Sequence, residues 1–346
     1  MIKNLLYSFL VLIPVTVTAN GPNPDPDPQN LIERKRNIVK IFDVKDPDLL
    51  TVDNQYGQVK VNLWNKKNIR VEIIITANAP SDDQAGQYLN AVLIDEKRTK
   101  NLITLTTNID KNQFGKNRWG NRNGDKNFIQ IDYTVYMPKE NPLIVRNQFG
   151  NTDIPSFLAP LTIDSRYGTF SANHLENAEN NIDVRYGNAR IGKMDGGKLD
   201  CQYSSLQLDH VNKLMLNNKF GDLSIGEINN LEADIDYSGA KIGTMHGTGK
   251  IKLNYSGNFR INELTNSSEN VNIQAAYSSV VLPADANQFN VTMTYGKFTY
   301  PDDVNFSMQP STSSPQKVKQ YQGKVGAGSG TKITVTSRYG DVRLKE

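Results

Sequence analysis

Three aspartates, Asp164, Asp183 and Asp200, each stand three residues before an aromatic residue: Tyr167, Tyr186 and Tyr203. An equal offset from a recurring landmark puts them on one outward face of a repeating structure, roughly one above the next. Carboxylates gathered in this way suit glycoside cleavage, or calcium binding beside a basic residue. Asp234 and Asp236 belong to the same stretch of pattern. Arg166 and Arg185 share the outward face, and they turn the row into a neutralised, solvated surface, which is the reading we prefer. Cys201 lies two residues before Tyr203 at an inward position and is expected to be a small buried side chain, not a nucleophile. Asn218 takes the matching inward position one repeat later, where it can make a buried amide hydrogen bond. A single cysteine excludes a disulfide framework, an iron–sulfur centre and a multi-cysteine zinc site. His174, His210 and His246 fall on non-adjacent repeats, and no shared metal site is expected from them. The segment MDGGKLD (194–200) holds one glycine–aspartate step and lacks the repeated pattern of calcium-binding β-rolls. The sequence therefore assigns no catalytic residue, no metal site and no cofactor.

The other residues suited to binding lie in an insertion, DKNQFGKNRWGNRNGDKN (110–127). An exposed Trp119 beside Arg118 and Arg122 could stack on a sugar ring or capture an anionic glycan. The plainer alternative is a hairpin loop whose tryptophan packs back on the body. A second insertion, 307–331, is rich in Ser, Gln, Lys and Gly, and is expected to be flexible.

What positions these residues is a repeat. An aliphatic residue is followed four positions later by an aromatic, then by Gly or Ser, then by two further apolar residues. The aromatics are Tyr56, Phe149, Tyr167, Tyr186, Tyr203, Phe220, Tyr237, Tyr255, Tyr277, Tyr295 and Tyr339. Four residues before them stand Val52, Val145, Ile163, Ile182, Leu199, Leu216, Ala233, Ile251, Ile273, Val291 and Val335. Residues i and i+4 of a strand share a face, so parity points each aromatic inward with its aliphatic. Three and five positions past most of the aromatics come pairs such as Val59/Val61, Leu206/Leu208, Leu223/Ile225 and Val342/Leu344. Tyr255 fits with one added residue before Phe259 and Ile261, as a bulge would give.

Each repeat therefore reads as two short strands joined at an aromatic corner. Alternation and a high content of Asn (40) and Gly (25) exclude helical repeats of similar length. The expected fold is all-β: a parallel β-helix, a solenoid of 17–19-residue coils over 141–346, with like residues stacked on like. Residues 31–140 fit the pattern less well and read as opening coils and a β-rich cap, with a short helix near 82–93 started by Ser81 or Asp82.

Residues 1–19, MIKNLLYSFLVLIPVTVTA, combine Lys3, a 13-residue apolar stretch and a small-residue terminus, the pattern of a cleaved export signal. The run 20–30, NGPNPDPDPQN, is a proline-rich spacer. No later run is long enough to span a membrane, so no transmembrane segment is expected in the mature chain. The charges nearly balance, 39 Lys+Arg against 36 Asp+Glu, which excludes an electrostatic nucleic-acid binder.

The YG and FG repeats, the stretch IDYTVYMP ahead of LIVRNQFGNTDI, and the export signal before them resemble a bacterial envelope family of candidate adhesins with β-helical domains. The resemblance covers roughly residues 35–346 and carries over no catalytic residue. It implies an exported, non-enzymatic adhesin-like binding or scaffold protein in the periplasm or on the outer surface, with a glycan or an envelope protein as partner. The alternatives are a polysaccharide lyase or hydrolase using the aspartate row, and a signalling or structural envelope component that binds another protein. The sequence does not fix the oligomeric state.

Overall fold

The computed structural model describes residues 31–114, 128–285, 287–302, 304, 306–310 and 318–345. The export signal and spacer read at 1–30 lie outside the described residues. Apart from one short helix and one 3-10 turn, the described elements are strands, hydrogen-bonded into one continuous sheet wound into a two-faced solenoid.

The winding follows from the alternation. Before each aromatic corner the strands stack in parallel: Leu161–Arg166 lies between Leu143–Gln148 and Asn180–Arg185. Past the corner a second face builds in the same way, with Thr169–Leu175 between Thr152–Ile154 and the start of Asn188–Gln202. The strands Asn188–Gln202, Ser205–Lys219 and Leu223–Asp236 each run on round the opposite corner and serve both faces. Register keeps aliphatic over aliphatic, as in Ile163↔Ile182, Ile182↔Leu199, Leu199↔Leu216 and Leu216↔Ala233, all buried between the faces. The added residue after Tyr255 is absorbed, since Phe259 pairs with Ala240 on one side and Val280 on the other.

The two ends depart from simple winding. At the N-terminal end the coil of Tyr56 pairs directly with that of Phe149, Leu50↔Leu143 through Gln55↔Gln148. The chain before the Tyr56 coil and the chain between the two coils supply antiparallel strands: Ile32–Asp43 on Asn68–Ala79 on Phe128–Met137, and Val92–Thr99 on Leu102–Ile109. The helix Asp82–Asn90 is capped by the Ser81 hydroxyl, which accepts from the Gln84 N–H, and it buries Ala85, Tyr88 and Leu89. At the C-terminal end the coils do not stack in chain order. Lys332–Arg338 inserts between Asn270–Ala276 and Gln288–Thr294, parallel to both. The segment 307–331, expected to be flexible, instead contributes to a hairpin of Phe306–Pro310 and Val318–Lys324 laid antiparallel on Gln288–Thr294. Aromatic contacts explain its order: Tyr321 meets Phe298 at 5.1 Å and Phe306 meets Tyr300 at 4.6 Å. Residues 311–317 of that insertion lie outside the described residues.

Candidate functional site

The corner aromatics form one ladder. From Tyr56 through Phe149, Tyr167, Tyr186, Tyr203, Phe220, Tyr237, Tyr255, Tyr277, Tyr339 and Tyr295, successive ring centroids are 4.8–5.1 Å apart and the rings are nearly parallel, stacked face to face. The rings stand outside the core, correcting the parity expectation: Tyr167 is 48% exposed and Tyr237 52%. The cause is the backbone. Every one of the eleven sits at φ between 51° and 63°, the left-handed region, and one such residue breaks the alternation and turns its side chain out. Aliphatics at even offsets before the aromatic and odd offsets after it were the sign of this break.

Two interactions hold each corner in its strained form. The aromatic N–H donates to the carbonyl just before the next aromatic, as Phe149 does to Arg166 at 2.9 Å and Tyr203 to Lys219 at 2.9 Å. The small residue that follows allows neighbouring corners to approach: a Cβ on Gly150 would lie 1.8 Å from the Gly57 carbonyl oxygen. Where serine takes this place, its hydroxyl bridges coils. Ser204 Oγ donates to the Gln202 carbonyl (2.8 Å) and accepts from the Gly187 N–H (3.2 Å). Because the ring faces are taken up by one another, the ladder offers ring edges and tyrosine hydroxyls at a regular step.

The aspartate row lies beside the ladder in strict register, Asp164↔Asp183↔Asp200↔Asn217↔Asp234, with Arg146 and Lys252 at its ends. Arg166 grips Asp164 at 2.9 Å and Arg185 grips Asp183 at 2.6 Å, the neutralisation read from the sequence. Asp200 is held by amides, Gln202 at 3.0 Å and Asn217 at 2.9 Å. Asp234 faces Lys252 at 3.5 Å. Burial pushes the Asp183 carboxyl above its ordinary value; Arg185 opposes this, while Asp200 and Asp164 add to it.

On the inward side Cys201 is fully buried, and that burial pushes its thiol well up, away from reactivity. Asn218 pairs with it in register and donates to Gly221 O (2.6 Å) and Ser238 Oγ (3.0 Å). A larger buried polar network sits near the N-terminal end. Asn54 Nδ2 donates to Ile131 O (2.9 Å) and Asn147 Oδ1 (3.2 Å), and the Thr107 hydroxyl joins Asn54 to the Tyr133 hydroxyl. Desolvation pushes the Tyr133 phenol up to about 12, so it stays neutral there.

Of the histidines, His210 and His246 approach the Glu227 carboxylate from two coils, at 3.4 and 3.6 Å, while His174 meets Asp195 at 3.0 Å. Among the described residues no three such side chains are arranged to hold a metal ion. Arg118, Trp119 and Arg122 lie outside the described residues. The sequence reading missed a cleft of about 500 Å³ where three loops meet, lined by Trp64 with Lys45, Lys66, Lys67, Glu140 and Asn141. Its one legible sign was the run Trp64-Asn65-Lys66-Lys67. No described helix is long and apolar enough to cross a membrane.

None of the curated proteins compared matches the chain. Among solved structures it is similar to candidate adhesins of Parabacteroides distasonis (14% identity, TM-score 0.34) and Bacteroides fragilis (13%, TM-score 0.32), covering 90% of this chain and 97% of each of those. It is also similar to a candidate cell adhesion protein of Clostridium sporogenes (10%, TM-score 0.23, 90% of this chain and 99% of that one). Likeness at this depth adds nothing to what the repeat itself says. A family model, by contrast, matches residues 48–345, from the strand of the Tyr56 coil to the strand after Tyr339, and by that match the chain belongs to the Toastrack DUF4097 family.

Proposed function

We propose that the protein is an exported, non-enzymatic binding or scaffold protein of a bacterial cell envelope, with an adhesin-like role toward a surface glycan or an envelope protein. In this reading the body is a parallel β-helix of 17–19-residue coils, closed at its N-terminal end by residues 31–140. The observation that carries the proposal is the ladder of eleven aromatic rings along one corner, ten of them exposed by 38–52%. Contiguous exposed apolar surface of this kind marks interaction sites, and a corner made only of turns would not need it. The ladder spans on the order of 50 Å at the coil spacing of a sheet, which suits an extended ligand touched many times over. The export pattern at 1–19 supports the location.

The test is binding of the purified chain to a panel of glycans and matrix proteins, with and without a calcium chelator. Alongside it goes the variant Tyr167→Phe/Tyr186→Phe/Tyr203→Phe, which removes hydroxyls and keeps the stack, as Phe149 and Phe220 already do in their places. Saturable binding weakened in that variant supports the proposal. A folded protein that binds nothing on the panel counts against adhesion and favours a structural or signalling role.

The second reading is a polysaccharide lyase or hydrolase on the aspartate row. Its support is the in-register column of carboxylates; against it stand the ion pairs to Arg166 and Arg185. Product release from an acidic polysaccharide, lost in Asp164→Asn or Asp200→Asn, would establish it.

A further inference from the structure

Since the inner rings of the ladder have their faces covered, a sugar ring that is to be stacked upon must find another aromatic. Trp64 is placed for it. It follows the strand Val59–Leu63, and its ring packs on Tyr136 with centroids 5.5 Å apart. Its indole Nε1 donates to Asn68 O at 2.8 Å, so the ring is held from its edge as well. The loops around it are tied in the same way. The Trp64 N–H donates to Met137 O (3.0 Å) and the Val44 N–H to Lys67 O (3.2 Å). The side chain of Asn141, itself buried, donates to Lys45 O (3.0 Å) and Asp48 O (2.8 Å), joining the loop after Met137 to the loop after Asp43.

The result is a concavity of about 500 Å³ lined by Trp64 together with Lys45, Lys66 and Lys67, beside Asp46 and Glu140. Lys66 Nζ lies over the indole ring, 4.8 Å from its centroid, so it must move aside for a sugar to stack there and can then meet the ligand's acid group. Lys66 and Lys67 are exposed and can swing, whereas the indole cannot.

We propose that this three-loop cleft binds an anionic pyranose unit of an acidic polysaccharide, the sugar face on Trp64 and its carboxylate among Lys45, Lys66 and Lys67. The assignment rests on the glycan-binding form of the function proposed above, and its residues belong neither to the ladder nor to the 110–127 insertion. Aromatic stacking supplies orientation, the lysines supply charge, and the tied loops reduce the ordering cost of binding.

The experiment is titration of the full protein with oligogalacturonate and, in parallel, with neutral maltooligosaccharide. Three variants are compared: Lys66→Glu/Lys67→Glu, Trp64→Ala and Trp119→Ala, each checked for fold by circular dichroism and thermal unfolding. We expect oligogalacturonate to bind in a salt-sensitive manner, the neutral sugar not to bind, and affinity to fall about ten-fold or more in the double lysine variant. The lysine variant keeps the test open if Trp64→Ala does not fold, because both lysines are exposed surface residues. Binding unchanged by the lysine variant, or equal binding of the neutral sugar, overturns the cleft assignment. Sensitivity to Trp119→Ala alone overturns it while leaving glycan binding standing. A folded protein that binds neither probe, yet binds elsewhere on the wider panel, removes this site without removing the adhesin-like role.

Discussion

The ring of Tyr339 stacks on that of Tyr277 at 4.9 Å, and on its other side it stacks on Tyr295 at 5.0 Å. Among the described residues the coil of Tyr339, though later in sequence than that of Tyr295, is therefore stacked ahead of it, between the coils of Tyr277 and Tyr295. The strands Asn270–Ala276 and Gln288–Thr294 do not touch as neighbours; Lys332–Arg338 separates them and bonds to both. In a solenoid each coil depends on its neighbours, so this part of the stack is complete only when Lys332–Arg338 is in place.

Removal of residues 332–346 should thus open a slot with two unpaired strand edges. Hydrogen exchange should show lost protection in 270–302, with 143–236 still protected. Equal protection in both regions of the truncated protein would mean that the strands flanking the slot close on each other.

At Tyr203 two costs can be separated. Tyr203→Ala removes stacking on Tyr186 (5.1 Å) and Phe220 (4.8 Å), each contact contributing about 0.5–1.5 kcal/mol, and keeps the left-handed strain. Tyr203→Gly loses the same contacts but relieves strain of about 1–2 kcal/mol. Urea unfolding should therefore rank wild type, then glycine, then alanine in stability.

Gly187 is required for packing. A Cβ there would lie 1.9 Å from the Gly168 carbonyl oxygen, a backbone atom that cannot swing away. Gly187→Ala should cost about 2 kcal/mol or more, measured as a fall in the denaturation midpoint.

Asp183 gives a pH signature. Burial raises its folded-state pKa above the ordinary value of 3.8, so the ionised form is penalised in the folded protein. Its contribution is most favourable below that ordinary value and is lost as pH rises through the folded pKa. Asp183→Asn should then stabilise the protein at pH 7, and the gain should shrink on acidification and vanish below about pH 3.8. Arg185, partly exposed, can turn to water in this variant. A gain that is constant across pH would point to packing instead of charge.

How far the sequence reaches can be judged from particular residues. Ile163, Ile182, Leu199 and Leu216 were readable as a buried column because their spacing repeats, and the structure stacks them in register. The alignment of Asp164, Asp183 and Asp200, and the arginines that neutralise the first two, follow from the same period. An all-β, repeat-built fold is what a period near 18 with strand alternation determines, since each coil meets only the coils beside it.

The direction of the corner rings was decided elsewhere. A left-handed residue survives there because its N–H is taken by the adjacent coil and its ring by the adjacent ring, and no single repeat contains either partner. The place of Tyr339 between Tyr277 and Tyr295 needs a pairing across 62 residues that local pattern does not encode. The amide of Asn54 reaches Asn147, 93 positions on, and Trp64 comes to line a cleft only when three separate loops are brought together. Periodic burial is a local property and is written in the order of residues. Corner strain, threading order and loop convergence depend on which distant groups satisfy which, and that is settled only when the whole solenoid closes.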